Sequence, residues 1–210
     1  MNISAIILTK NVEATIKRCL DSLKWIPDIV VVDSHSDDKT VDIVKSYTKN
    51  KLVDTDWLGY SDTKKVAVSH VANQWVLWID ADEECTPELE NSVKDILVNP
   101  CEQAYKIRRS SFFIGKQVEY SGWQNDWVIR LFDKNKCRFD GNYVHEKLLV
   151  DGKIKPIRGL LNHYTNKDFA HYMQKFGVYT WLGAQRRLGK VNSVGFYHLV
   201  IRPKARFIWH

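Results

Sequence analysis

A chain of 210 residues with 44% hydrophobic and 27% charged residues has the composition of a soluble globular protein, and its length suffices for one good core. No apolar run approaches about 18 residues and the first residues lack a signal-peptide pattern, so we expect neither a membrane span nor a secretion signal. The four cysteines lack C-x-x-C spacing, which predicts no zinc site and no disulfide framework and agrees with a reducing cytoplasm. The net charge of +6 favours an anionic partner: nucleic acid, a membrane surface or a phosphorylated substrate.

The first part of the chain predicts the start of a parallel sheet. Ile3–Thr9 is a short apolar strand without alternation, and a helix follows it with Asn11 as the candidate cap. Ile29–Asp33 is a second strand that ends in an acid, and Asp38 is the candidate cap of the next helix. Lys51–Asp54 predicts a third strand, with a loop and helix after it. Repeated strand–loop–helix units of this kind are typical of folds with a parallel sheet.

One apolar run and the acids that follow it carry the strongest chemical signal. Trp75–Ile79 predicts a strand buried on both faces, and four carboxylates follow it within five residues. Thr86 and Pro87 then predict the start of a helix. In open α/β sheets ligands bind beyond the carboxyl ends of the strands, and Asp80 and Asp82 can direct oxygens at one divalent cation. The alternative is an acidic turn that only leads into the helix.

The second half of the chain predicts further strands and a long helix. Ala104–Arg109 and Trp127–Phe132 have strand composition, residues 140–142 form a turn signal, and Asn166–Leu188 predicts the helix. The last stretch, Phe196–His210, mixes aromatic residues with Arg and Lys. It reads as an amphipathic surface for anionic lipid, as a solvated helix face, or as a short nucleic-acid-binding segment. Nucleic acid is the least favoured of the three, because no recognised binding motif is present.

The order of these features resembles that of the family 2 glycosyltransferases, which are inverting enzymes of the GT-A fold. The resemblance rests on the strand and loop at 6–11, the pattern Asp33-Ser34-x-Ser36-x-Asp38-x-Thr40, Gly59 with the lysines after it, and the run Trp75-Val76-Leu77-Trp78-Ile79-Asp80-Ala81-Asp82-Glu83. A narrower likeness to bacterial lipopolysaccharide-core β-glycosyltransferases that add glucose to heptose rests on Gly122-Trp123, Asp126, Arg130-Leu131-Phe132, Phe139 and Val144-His145-Glu146.

The resemblance implies a fold and a division of the chain. We expect a single α/β, Rossmann-like GT-A domain over residues 1–210, with a central mostly parallel sheet, flanking helices and a small antiparallel element in the acceptor half. Residues 1–100 would form the nucleotide-sugar half, 101–165 the acceptor and catalytic half, and 166–210 a C-terminal helix with a basic aromatic tail. Members usually continue for several tens of residues beyond this point, which implies a trimmed chain or a short member.

The resemblance also implies a donor site with a DXD motif and a metal. It places these residues around a nucleotide-sugar: Thr9, Asn11, Asp33, Ser34, Lys64, Lys65, Asp80, Ala81, Asp82 and Arg130. Asp82, with Asp80 and His145 as further candidates, would hold Mn²⁺ or Mg²⁺, which suit oxygen ligands and offset charge on a leaving diphosphate. Either Lys64 or Lys65 would meet the phosphates as a point charge. Capping or turn formation is the alternative role for the polar residues of the first two loops.

An inverting transfer needs a carboxylate that takes the proton from the acceptor hydroxyl. Asp126 is the candidate base and Glu146 is its rival, and a structural ion pair is the alternative role for either. Arg130 would pair with Asp126 or with phosphate. The ring of Trp123 would stack beneath the acceptor sugar or pack in the core.

The expected reaction is transfer of a hexose from a UDP-sugar to a sugar hydroxyl of a glycan or glycolipid such as lipopolysaccharide core. Glucose is the sugar that the resemblance implies; other donor sugars and a peptide acceptor stay open. The expected location is the cytoplasm, at the inner face of the membrane where the basic tail contacts anionic lipid. A nucleotidyltransferase would need a glycine-rich phosphate loop after the first strand, and residues 9–13 contain no glycine. A non-catalytic sugar-nucleotide-binding module is the third hypothesis, and an activity assay separates it from the first.

Overall fold

A computed structural model describes residues 1–47, 50–120, 125–140, 147–166, 168–185 and 193–209. The strands of this part of the chain are β1 (Ile3–Thr9), β2 (Asp28–Asp33), β3 (Asn50–Asp54), β4 (Trp75–Trp78), β5 (Glu83–Cys85), β6 (Ala104–Phe113), β7 (Lys116–Gln117), β8 (Trp127–Asp133), β9 (Cys137–Phe139), β10 (Leu148–Val150) and β11 (Ile154–Asn166). The helices are α1 (Ile16–Asp21), α2 (Thr40–Lys45), α3 (Tyr60–Ser69), α4 (Pro87–Val98), α5 (Phe169–Gln185) and α6 (Arg202–Trp209), and a π-helical turn at Tyr197–Ile201 precedes α6. Among these helices, none has the length and apolar character that crossing a bilayer requires.

The described strands form one large mixed sheet and one small sheet. The large sheet has the order β3-β2-β1-β4-β8-β6-β11-β5, and β7 pairs with β6 at its end. The neighbouring strands β3, β2, β1 and β4 are parallel to one another, and β11 is parallel to β6. β8 runs antiparallel to β4 and β6, and β5 runs antiparallel to β11. β9 and β10 form the small antiparallel sheet. The predicted α/β class, a mostly parallel sheet with a small antiparallel element, is confirmed.

The apolar run of β4 is buried on both faces of the sheet, as predicted. Trp75 and Leu77 belong to one core cluster with Leu89 of α4, whereas Val76 belongs to a second cluster with Ala67 of α3. Successive side chains of a strand point to opposite faces, so a strand covered by helices on both sides needs an apolar residue at every position. Because β1, β2, β3 and β4 are parallel, their carboxyl ends meet at one edge of the sheet.

The predicted start of α4 is confirmed. Pro87 is its first residue, and the hydroxyl oxygen of Thr86 accepts a hydrogen bond from the backbone N–H of Leu89 at 3.4 Å. This side chain satisfies one of the N–H groups that the first turn of a helix leaves unpaired.

Asn11 was predicted to cap α1, and that prediction is wrong. α1 begins only at Ile16, after a turn, and Asn11 has a left-handed backbone with a φ of 53°. Asp38 is nearer to its predicted role, since its Oδ1 accepts the backbone N–H of Thr40, the first residue of α2, at 2.9 Å.

Among the described strands that were not predicted, β5 and β11 shape the site. The acids after β4 were expected in a loop, but three residues of that stretch form β5, which pairs antiparallel with β11. β11 extends to Asn166, where the long helix was predicted to begin, and α5 begins at Phe169. The paired residues, such as His163 and Glu83, are far apart along the chain, so the pairing leaves no local sequence pattern.

Candidate active site

The loops after β1 and β2 lie side by side at the carboxyl edge of the sheet. Asp33, buried at the end of β2, accepts hydrogen bonds from Thr9 Oγ1 (2.6 Å) and from the backbone N–H (2.7 Å) and hydroxyl (2.6 Å) of Ser36. The hydroxyl oxygen of Ser34 is buried and has no hydrogen-bond partner within the described residues. A buried hydroxyl without a partner is costly, so this corner offers a polar group to a ligand.

Asn11 and His35 hold the shape of these two loops. The backbone N–H of Asn11 donates to Ser36 Oγ at 2.9 Å, and its side-chain oxygen accepts a backbone N–H of the second loop at 3.0 Å. The ring of His35 lies between Asp54 (Nδ1–Oδ1 3.1 Å) and Asp56 (Nε2–Oδ1 2.9 Å). The hydrogen bond to Asp56 and the charge of Asp54 raise the pKa of His35.

Asp80 stands after β4 with both carboxylate oxygens engaged. Its Oδ1 accepts the indole N–H of Trp78 at 3.0 Å, and its Oδ2 forms an ion pair with Arg130. Enclosure by protein raises the pKa of Asp80, but the positive charges of Arg130 and Lys64 outweigh this effect. The pKa therefore lies below its ordinary value, and the carboxylate is charged near neutral pH.

The structure separates the two lysines that the sequence left as alternatives. Lys64 is 1% exposed, and its Nζ lies 3.2 Å from the centroid of the Trp78 ring, beside Asp80. Lys65 lies towards solvent and pairs with Asp62 at 2.8 Å. Adjacent residues of a helix point about 100° apart, so only one of the two faces the site.

A buried glutamate joins two arginines behind these acids. Glu83 is 1% exposed, and its Oε1 lies 2.7 Å from Nη2 of Arg130 and 3.5 Å from Nη1 of Arg109. Arg109 in turn donates to Oδ2 of Asp126 from Nε (2.7 Å) and lies 2.6 Å from it through Nη2. Arg130 was expected to pair with Asp126 or with phosphate. The pairing with Asp126 is wrong, because Arg130 pairs with Asp80 and Glu83 while Arg109 pairs with Asp126; the contact with phosphate stays a prediction. The charges thus form one row: Asp80, Arg130, Glu83, Arg109, Asp126.

A β-bulge directs Arg130 into the site. In the pairing of β6 with β8, Tyr105 is opposite Leu131 and Lys106 is opposite Ile129, so Arg130 is the extra residue of β8. Its side chain is 2% exposed, and its Nε has no partner within the described chain. The charge is tolerated at this depth because two carboxylates face the guanidinium.

Asp82 lies beside a histidine that the sequence analysis did not single out. His163 of β11 is opposite Glu83 in the pairing with β5, and its Nε2 is 3.4 Å from Oδ2 of Asp82. The side chain of His163 is 17% exposed and that of Asp82 is 27% exposed, so a ligand can reach both. Across the described ranges, no three His, Cys, Asp or Glu side chains gather into a complete metal cage. Asp82 and His163 bring one oxygen and one nitrogen atom together at a partly exposed position.

Of the remaining candidate site residues, Ala81 lies within the described part of the chain and three others lie outside it. Ala81 is buried between the two aspartates. His145, Glu146 and Trp123 lie outside the described residues, so their roles stay predictions. Glu83, Arg109 and His163 were missed by the sequence analysis: Glu83 was visible in the acid run, whereas the other two reach the site only through strand pairing.

The chain belongs to glycosyltransferase family 2. The model of that family, described as "Glycosyl transferase family 2", matches residues 4–145. The match begins within β1, extends beyond β9 and includes the acids at 33, 80, 82 and 126. The fold is the GT-A fold that the sequence resemblance implied.

Three relatives show how the chain compares with known proteins. An uncharacterized glycosyltransferase of Rickettsia typhi is 33% identical over 191 residues, which cover 85% of this chain and 65% of the relative. The lipopolysaccharide core biosynthesis glycosyltransferase LpsC of Rhizobium meliloti is 28% identical over 213 residues, 98% of this chain and 79% of LpsC. The crystal structure of S. aureus TarS 1-349 aligns with a TM-score of 0.50 and 26% identity, over 58% of this chain and 39% of TarS. The chain therefore spans less than two thirds of the Rickettsia relative.

Proposed function

We propose that the protein transfers a hexose, with glucose as the first choice, from a UDP-sugar to a hydroxyl of a glycan or glycolipid, with inversion. The observation that carries this proposal is the convergence of Asp80, Asp82 and Lys64 beside the Asp33 corner. That edge of the sheet offers acceptors for a base, acids for a cation and a lysine for a diphosphate. Family membership supports the reaction class, and the structures of TarS with UDP and with UDP-GlcNAc support the donor class.

The residues present fit a divalent cation. Asp82 and His163 supply an oxygen and a nitrogen donor 3.4 Å apart, and both are partly exposed. Mg²⁺ is usually held by one or two carboxylates together with water and substrate phosphates, so an incomplete protein ligand set suits this use. Asp80 has both oxygens engaged, which makes Asp82 the direct ligand in our proposal. When bound, the cation would offset the negative charge that builds on the leaving diphosphate.

The protein groups around the edge match the other parts of the donor. A carboxylate has about four acceptor positions, and the described residues take three of those on Asp33, so one is offered to an N–H of uracil. Asn11 lines the same corner, and the unpaired hydroxyl of Ser34 is available to the nucleoside. Lys64 would meet the phosphates from its place over Trp78.

Asp126 is the proposed general base. Its side chain is 32% exposed, and Arg109 engages only Oδ2 among the contacts of the described chain, which leaves Oδ1 for an acceptor hydroxyl. The arginine fixes the carboxylate in place, as a base needs. Glu146 stays the rival.

We further propose that the acceptor is lipid-linked and that residues 169–210 lie on an anionic membrane. This segment contains seven Lys and Arg residues and no Asp or Glu, so its formal charge exceeds the net charge of +6 of the whole chain. The side chains that α5 exposes are Phe169, Met173, Phe176, Val178, Tyr179, Trp181 and Leu182. Lys175 donates to the carbonyl of Thr165 at 2.9 Å, two residues after His163, so this surface begins next to the site. Basic residues interleaved with aromatic ones suit an interface with anionic lipid, and the likeness to LpsC supports such an acceptor.

Substitution of Asp82 tests the donor and metal proposals together. UDP should bind more tightly with Mn²⁺ than without it, and Asp82→Ala should lose that gain because the direct ligand is gone. His163→Gln should lose part of the gain in UDP affinity that Mn²⁺ gives. Calorimetric titration of UDP with and without Mn²⁺ measures both, and Asp62→Ala, an exposed acid on α3, is the matched control. A Mn²⁺-dependent gain that survives in Asp82→Ala would refute the metal site.

Substitution of Asp126 tests the base. Asp126→Asn should keep UDP and Mn²⁺ binding but lower kcat by about 10²-fold or more, since general-base catalysis contributes that much. Transfer from UDP-glucose to a heptose acceptor, read as released UDP, is the measurement. If Asp126→Asn turns over normally and Glu146→Gln does not, the base is Glu146.

A further inference from the structure

We propose that Glu83 is a positioning residue that sets the places of both Asp80 and Asp126, acting through Arg130 and Arg109. The inference rests on the proposed function, since it takes Asp80 as a donor-side group and Asp126 as the acceptor-side base. Glu83 itself would touch neither substrate, because its side chain is fully buried.

The contacts of Glu83 lead to each side of the site. Its Oε2 accepts the backbone N–H of Asp80 at 2.9 Å, and its Oε1 faces Arg130 at 2.7 Å and Arg109 at 3.5 Å. Arg130 holds the side chain of Asp80, and Arg109 holds that of Asp126. Both arginines therefore share Glu83 as one anchor and hold one carboxylate of the site each.

The two arginines lie on different strands, and their like charges explain why an anion is needed between them. Arg130 lies on β8 and Arg109 on β6, and the backbone of Arg109 donates to the carbonyl of Asp126 at 2.8 Å. Two guanidinium groups that meet at a buried point repel each other unless an anion lies between them. Glu83, on β5, supplies that anion. Without its charge each arginine would turn towards its remaining carboxylate, and Asp80 and Asp126 would move relative to each other.

The neighbouring residue provides a matched control. Glu84 lies on the same short strand and faces the other way, where its Oε2 accepts from the Tyr164 hydroxyl at 2.7 Å and from Asn162 at 3.2 Å. Replacing either glutamate by glutamine removes one negative charge from β5 at nearly constant shape. Only Glu83→Gln removes the charge between the arginines.

The test compares Glu83→Gln with Glu84→Gln in the same chain. We expect Glu83→Gln to lower kcat for transfer from UDP-glucose by about 10- to 100-fold, the usual cost of losing a group that orients a site residue. KM for the donor should change less than kcat, and the thermal unfolding midpoint should match that of Glu84→Gln. Glu83→Asp should recover part of kcat because it restores the charge. Glu84→Gln should keep the kcat of the unsubstituted chain.

A second variant keeps the proposal testable if Glu83→Gln does not fold. Arg109 is partly exposed, and Arg109→Gln removes the guanidinium that contacts both Glu83 and Asp126 while Glu83 and Arg130 stay unchanged. It should lower kcat while Mn²⁺-dependent UDP binding, read by calorimetry, stays unchanged. Equal kcat in Glu83→Gln and Glu84→Gln, or normal kcat in Arg109→Gln, would overturn the positioning role alone. Failure of the unsubstituted chain to bind UDP with Mn²⁺ would instead overturn the proposed function.

Discussion

At the scale of the single residue, burial favours Lys64 over Lys65 as the lysine that meets the phosphates in the proposed site. Lys64→Met should weaken UDP binding by about 10- to 100-fold, since a hydrogen bond to a charged group is worth about 1.5–3 kcal/mol. Methionine keeps the packing over Trp78 while removing the charge. Lys65→Met is the matched control and should change binding less than about 2-fold, because its ammonium pairs with Asp62 at the surface. Calorimetry with UDP and Mn²⁺ measures both, and equal losses in the two variants would contradict the assignment.

The same scale shows what the sequence could and could not reveal about the site. The places of Asp33 and Asp80 were predictable, because each acid follows an apolar run and the ends of parallel strands meet at one edge. His163 was not predictable, because it reaches Asp82 only through the pairing of β11 with β5. The row of charges through Glu83 depends on a bulge in β8, which no spacing rule indicates.

At the scale of the element, the contact between β11 and the start of α4 holds His163 in place. The hydroxyl of Thr86 donates to the carbonyl of Leu160 at 2.9 Å and accepts the backbone N–H of Leu160 at 3.1 Å. The N-cap residue of α4 therefore also binds β11 through two hydrogen bonds. Gly159, one residue earlier, has a φ of 88°, and a Cβ there would lie 2.3 Å from the backbone nitrogen of Leu89. The helix start was readable from Thr86 and Pro87, but the strand that packs against it was not.

Gly159→Ala should therefore lower the free energy of unfolding by about 3 kcal/mol or more, because backbone strain and overpacking each cost about 1–3 kcal/mol. Gly115→Ala is the matched control: its φ of 76° is also left-handed, but nothing lies within 4 Å of the added Cβ. Gly115→Ala should lower the free energy of unfolding only by the cost of the backbone strain. Urea unfolding of both variants measures the difference, and the contact with α4 would be unimportant if the two variants lost equal stability.

At the scale of the whole molecule, charge and exposed apolar surface are unevenly distributed. Residues 1–168 hold all 25 Asp and Glu residues, whereas 169–210 hold seven cations and no acid. The sheet and its helices bury their apolar runs in two clusters, but α5 and the turn before α6 expose theirs. The burial of β1, β2 and β4 on both faces was predictable from their continuous apolar runs, and the basic tail was visible in the sequence. The contact of α5 with the end of β11, two residues after His163, became visible only in the structure.

Membrane binding should consequently depend on charge and on this segment. The chain should sediment with vesicles containing phosphatidylglycerol at low salt, but not with neutral phosphatidylcholine vesicles, and binding should weaken at high salt as the charges are screened. The double variant Arg202→Gln with Lys204→Gln should bind about 10-fold or more weakly, since each cation near the surface contributes about 1 kcal/mol. The double variant Lys39→Gln with Lys45→Gln, in and next to α2, loses the same charge far along the chain and should bind normally. Equal losses in the two double variants would mean that net charge alone acts, and salt-independent binding to neutral vesicles would contradict the proposal.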